Sequence, residues 1–114
     1  MRDGARPVAN LLDDIPAQLA AERFDELLAR PGVRIERIVS TGHVSPPGSW
    51  YDQDWDEWIL LVQGAAMLEI EGRADCRLER GDHLLIPAHV RHRVGWTDPA
   101  RSTVWLAVHI DRAG

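Results

Sequence analysis

From Pro16 to Arg30 the apolar residues Leu19, Ala20, Phe24, Leu27 and Leu28 recur at the spacing of one helix face. Pro16 falls where a first-turn proline is tolerated, Asp13 and Asp14 stand just ahead of it, and Pro31-Gly32 ends the pattern. One N-terminal α-helix is therefore expected. After it the period changes. Short apolar runs over Val33–Ser40, Glu57–Val62, Ala66–Glu71, Asp75–Leu78, His83–Ile86 and Thr103–Ile110 read as strands. They are separated by Gly42, Pro46-Pro47-Gly48, Gly64, Gly72, Gly81, Pro87 and Asp98-Pro99. Regularly spaced short strands predict an all-β sandwich or barrel. No repeat or linker divides the chain, so residues 1–114 read as a single domain, with an arm and helix over 1–32 and a barrel over 33–111. Both faces of Trp58 to Val62 carry large apolar groups. The outer face of that sheet should therefore be covered, most simply by a second copy in a homodimer.

Composition narrows the function more than the fold. With 114 residues, 45% of them hydrophobic, the chain can bury one real core. A net charge of −5 with scattered cationic residues argues against a nucleic-acid partner. No apolar run approaches a membrane span, and the N-terminus lacks a signal-peptide pattern, so a cytoplasmic location is the expectation. The single cysteine, Cys76, excludes an intramolecular disulfide and a thiolate cluster. In its strand-like stretch it reads as a small buried hydrophobe.

Candidate chemistry lies between residues 51 and 109. On a continuous strand Tyr51, Gln53, Trp55, Glu57, Ile59 and Leu61 share one side. Asp52, Asp54 and Asp56 then face the other way and read as a solvated rim, because the glycine-turned loop of a calcium site is missing. Further on, His89 and His92 are three apart and converge only if the chain turns at Pro87 to His89. His109 shares a strand face with Trp105 and Ala107, opposite Val104, Leu106, Val108 and Ile110. Whichever face looks inward decides whether His109 lines a pocket or lies on the surface. His43 and His83 read as loop and strand residues without chemistry. Arg91 and Arg93 flank His92 and could reach a carboxylate or phosphate on a ligand, but they read first as ion-pair partners of Asp52, Asp54 or Asp56 across the sheet.

With these residues in view, the sequence resembles the cupin superfamily of RmlC-like jelly rolls. Glu57 followed by Gly64 matches the end of the first family motif, and Gly81, Pro87 and His92 match the second. Tyr51 and Gln53 stand where the family has two histidines, and His89 stands where it usually has glycine. The resemblance implies a jelly-roll β-barrel, usually a homodimer, with a pocket at the barrel mouth that binds a small molecule. It also implies a divalent metal (Zn, Fe, Mn or Ni), for which the candidate ligands are Gln53, Glu57, His92 and, if it swings inward, His89. Tyr51 or Glu57 would be the acid or base, with Tyr51, Trp55, Trp105 and His109 lining the pocket. The alternative is a metal-free binding or sensing module, in which Gln53, Glu57 and His92 form a hydrogen-bonded polar cluster. Cupins of this layout include isomerases, lyases, decarboxylases and dioxygenases, so the resemblance selects no reaction.

Overall fold

A computed structural model describes residues 8–112, which form an all-β fold. Its strands are β1 (Arg23–Arg30), β2 (Val33–Ser40), β3 (Asp56–Gln63), β4 (Ala65–Ile70), β5 (Cys76–Glu79), β6 (His83–Ile86), β7 (His92–Thr97) and β8 (Thr103–Ile110). A five-stranded sheet in the order β1-β2-β8-β3-β6 faces a three-stranded sheet in the order β5-β4-β7. The pairings within both sheets are antiparallel. This is the expected jelly roll.

Alternation along the strands sends one set of side chains into the space between the sheets. Ile59 and Leu61 of β3, Ile86 of β6, and Trp105 and Ala107 of β8 meet Ala66 and Leu68 of β4 and Leu78 of β5 there, all buried. Each large member contributes about 1.5–3 kcal/mol relative to exposure. Half-buried Cys76 packs against this cluster, as a small hydrophobe should.

The N-terminal helix is not formed. Its second half is β1, joined to β2 by a tight hairpin at Pro31-Gly32, where Gly32 takes φ 81°. The physical reason lies in the register. Phe24 pairs with Ile38 and Glu26 with Glu36, but Leu28 pairs with Ile35, so Leu27 is an extra residue in a β-bulge. One inserted residue turns a spacing of two into a spacing of three, and the Phe24, Leu27, Leu28 pattern imitates a helix face.

The segment ahead of β1 is tied to the outside of the sheet rather than coiled. The guanidinium of Arg37 donates to the carbonyls of Leu11 and Asp13 and pairs with Asp25 at 2.7 Å, and Arg37 is almost fully buried as a result. Beside it Ser102 donates to the carbonyl of Pro16, and the Leu19 N–H donates to Thr41.

Candidate functional site

The strand β8 question resolves in favour of the Trp105 face. Trp105, Ala107 and His109 are buried, while Ile110 on the other face is exposed. His109 therefore looks into a cavity of about 110 Å³ at one end of the barrel. Its apolar floor is made by Ile59, Leu68, Ile86 and Trp105, and its wall carries Glu36, Glu57, His92 and His109. Glu22, Phe24, Tyr51 and Gln53 edge the mouth.

Two histidine–carboxylate pairs occupy this wall, and they differ. In the first, His92 Nδ1 lies 2.9 Å from the carbonyl of Val90, so this nitrogen carries the proton that the carbonyl accepts. Nε2 is left facing Glu57 Oε1 at 3.6 Å, an ion-pair distance longer than a close hydrogen bond. Both side chains are nearly fully buried. In the second pair, the indole N–H of Trp55 donates to His109 Nδ1 at 2.8 Å, and His109 Nε2 lies 2.8 Å from Glu36. Because an indole only donates, Nδ1 must be the bare nitrogen, and the Nε2 proton goes to Glu36.

Burial works against charge on His92, but the Glu57 carboxylate and the Val90 carbonyl outweigh it and raise its pKa above the ordinary 6.5. The folded state then holds this proton more tightly than the unfolded chain does. The stability gained is full below the unfolded value and is lost as pH rises through the raised one. Wild type should therefore lose melting temperature across that window relative to His92→Gln, in thermal melts stepped from about pH 5 to about pH 9.

Tyr51 moves the other way from a ligand or base. Its ring lies 5.5 Å from that of His92, and its backbone bridges to the same residue. Burial and the nearby carboxylates of Glu22, Glu57 and Glu36 raise its pKa above 10.0. The phenol stays protonated, a donor rather than a phenolate.

The four expected metal ligands do not all assemble: Gln53, Glu57 and His92 line the cavity, and His89 does not. His89 sits at φ 65°, the left-handed conformation that accounts for the family's glycine at this position. That turn sends its ring out to Asp52 at 3.2 Å, with the side chain 71% exposed. His89 is thus corrected from candidate ligand to surface residue. Gln53 edges the mouth with a neutral side-chain amide, while its backbone carbonyl accepts the backbone N–H of His89. Among the described residues no group of three or more His, Cys, Asp or Glu side chains is placed to hold a metal ion. A site for Zn, Fe, Mn or Ni built on Gln53, Glu57, His89 and His92 does not fit these donors.

Other expectations sort cleanly. Trp55 stands at the rim against His109, with Arg34 stacked on its face, rather than in the cavity lining. Trp105 belongs to the floor, and its indole donates to Ser40, which in turn donates to Glu22. Arg91 and Arg93 pair with Glu71 and Glu69, not with the aspartates; Asp56 instead takes Arg112. His43 and His83 stay outside the cavity, with His83 against the ring of Trp58. Glu22 and Glu36 were not foreseen in the cavity. Glu36 sits between Ile35 and Arg37, where no alternation marks its inward face, and Glu22 lies in the segment that reads as helix.

The cupin domain family model matches residues 37–109, a span that contains Glu57, His92 and His109. The chain belongs to the cupin family. This cupin is similar, at 50% identity and TM-score 0.90, to a protein of Ralstonia eutropha JMP134 provisionally called a mannose-6-phosphate isomerase; the match covers 94% of this chain and 100% of that one. A cupin superfamily protein of Desulfitobacterium hafniense DCB-2 is 20% identical over 96% of this cupin and 94% of its own length, with TM-score 0.76. An RmlC-like cupin of Methanocaldococcus jannaschii with a double-stranded β-helix fold is 16% identical over 82% and 83%, with TM-score 0.66, and supports the fold alone. No curated protein matches the sequence.

Proposed function

We propose that this cupin binds a small oxygen-rich metabolite in its barrel mouth and moves protons on it through Glu57 and His92, without a metal. The observation that carries the reading is the buried Glu57–His92 pair, 3.6 Å apart, with the far nitrogen of His92 fixed by Val90. A carboxylate base beside an imidazolium acid is the pairing that shifts a proton next to a carbonyl. The 50% identical relative called an isomerase supports that reaction class.

For an open-chain α-hydroxy aldehyde, Glu57 takes the proton from C2 as His92 gives its Nε2 proton to the carbonyl oxygen. The three glutamates around the cavity disfavour an enediolate anion. Protonation of the oxygen must accompany loss of the C–H proton, so that a neutral enediol forms. Glu57 then returns its proton to C1 while the C2 hydroxyl proton passes to His92, leaving the ketose and restoring both groups. Tyr51 acts as a hydrogen-bond donor at the mouth.

The test is deuterium uptake at C1 or C2 of D-mannose and D-fructose in heavy water, followed by proton NMR with chelator-treated protein. Exchange that survives chelation is expected. Exchange abolished by chelation and restored by a divalent metal would overturn the metal-free mechanism, and binding without exchange would leave a binding or sensing module.

We also propose a homodimer. Leu85 and Ile110 are exposed on the outer face of the large sheet, beside the half-buried Trp58. A light-scattering mass of two chains at micromolar concentration is expected, and a mass of one chain would remove the proposal.

A further inference from the structure

We infer that the cavity selects an uncharged polyhydroxylated ligand and rejects the same compound carrying a phosphate or carboxylate. This rests on the reading of the cavity as the ligand site and specifies what it admits.

The charges that line the cavity are nearly all of one sign. Glu22, Glu36 and Glu57 face it, and no arginine is among the lining residues. The sequence contains no lysine, so an amine has no place in it either. Compensation within the cavity is slight. Glu22 is hydrogen-bonded by the Ser40 hydroxyl, a neutral donor. Glu36 is held by His109, whose bare Nδ1 toward Trp55 identifies a tautomer that carries no charge. Only Glu57 has a partner able to hold a positive charge, His92.

Of the guanidinium groups outside the cavity, Arg37, Arg91 and Arg93 are held by carboxylates, whereas Arg34 stacks on Trp55 at the rim and is not among the lining residues. Arg37 is buried on the outer side of the sheet against Asp25 and the N-terminal carbonyls. Arg91 and Arg93 are paired with Glu71 and Glu69. Arg34, which pairs with His109 across the strands, lies over the ring of Trp55 at 5.2 Å. An anionic ligand entering this cavity would therefore meet three carboxylates against a single cation, the His92 imidazolium, which already faces Glu57.

The same wall suits hydroxyl groups. Carboxylates only accept hydrogen bonds, and a ligand rich in O–H donors satisfies them without adding charge. Gln53 and the Tyr51 phenol supply donors for ligand oxygens, and the Trp105 and Ile59 floor takes the C–H face of a carbohydrate.

Titration calorimetry of D-mannose, D-glucose and D-fructose against their 6-phosphates, at low and high salt, tests the inference. Each uncharged sugar that binds is expected to bind about 100-fold or more tightly than its phosphate. In Glu36→Gln and in high salt the gap should narrow, because the discrimination is electrostatic. A 6-phosphate that binds as tightly as its parent sugar overturns the inference while leaving the cavity as the ligand site. If none of the six compounds binds at millimolar concentration, both the inference and the sugar-isomerase reading fail.

Discussion

Glu57→Gln is expected to slow deuterium exchange into the sugar by a factor of about 10²–10⁴ while the domain stays folded. The substitution keeps the shape of the side chain but removes the base. It also removes the negative charge that raises the pKa of His92, leaving burial to outweigh the Val90 carbonyl, so any residual activity should depend on pH through an imidazole of lower pKa than in the parent. His92→Gln should cost a similar factor, because it removes the acid of the same pair. The double variant should be hardly worse than either single one, since groups that act as a unit are not additive. Exchange rates from NMR, read beside thermal melts, separate loss of chemistry from loss of fold. A folded Glu57→Gln protein with the parent rate would take the base away from Glu57.

Gly64→Ala should be the most damaging small change to the fold. Gly64 joins β3 to β4 at φ 89°, and a Cβ there would lie 2.6 Å from the Cα of Thr103 on β8. The obstacle is the start of β8, the middle strand of the five-stranded sheet, where Thr103 and Val104 are buried on both faces, so it has little room to yield. Backbone strain of about 1–2 kcal/mol adds to overpacking of about 1–3 kcal/mol. A combined loss of about 3 kcal/mol or more corresponds to a fall of more than about 10 °C in melting temperature for a domain of this size. Gly72→Ala provides the control. Gly72 has a similar φ of 78° but nothing within 4 Å of the added atom, so only the strain should register. Equal losses in the two variants, measured by denaturant titration, would remove the packing argument.

The sequence was most legible where alternation and turn residues agree. The limits of β2, β6 and β8 coincide with the apolar runs between Gly32, Pro87 and Asp98-Pro99, because their inner positions are filled by residues such as Ile38, Ile86 and Trp105. Strand β7 was not legible. His92–Thr97 carries Gly95 in its middle, and the structure uses that gap for the carboxylate of Glu69, which pairs with Arg93. Such a strand is specified by its neighbours rather than by its own side chains. In the site, Tyr51, Gln53, Glu57, His92 and His109 could be nominated because family spacing or a strand face grouped them. The outward turn of His89 could not, since it depends on a backbone angle that a histidine does not advertise.

The bulge in β1 has a consequence for how that strand is read. An ordinary strand keeps one parity from end to end: even positions inward, odd positions outward. At Leu27 this strand changes parity, so that Phe24 reaches the cavity mouth while Leu28, an even number of residues away, lies on the opposite face with Ile35. One eight-residue segment thus contributes to two different surfaces of the molecule, the ligand entrance and the outer face of the large sheet. Losing the single residue Leu27 would merge those two assignments into one.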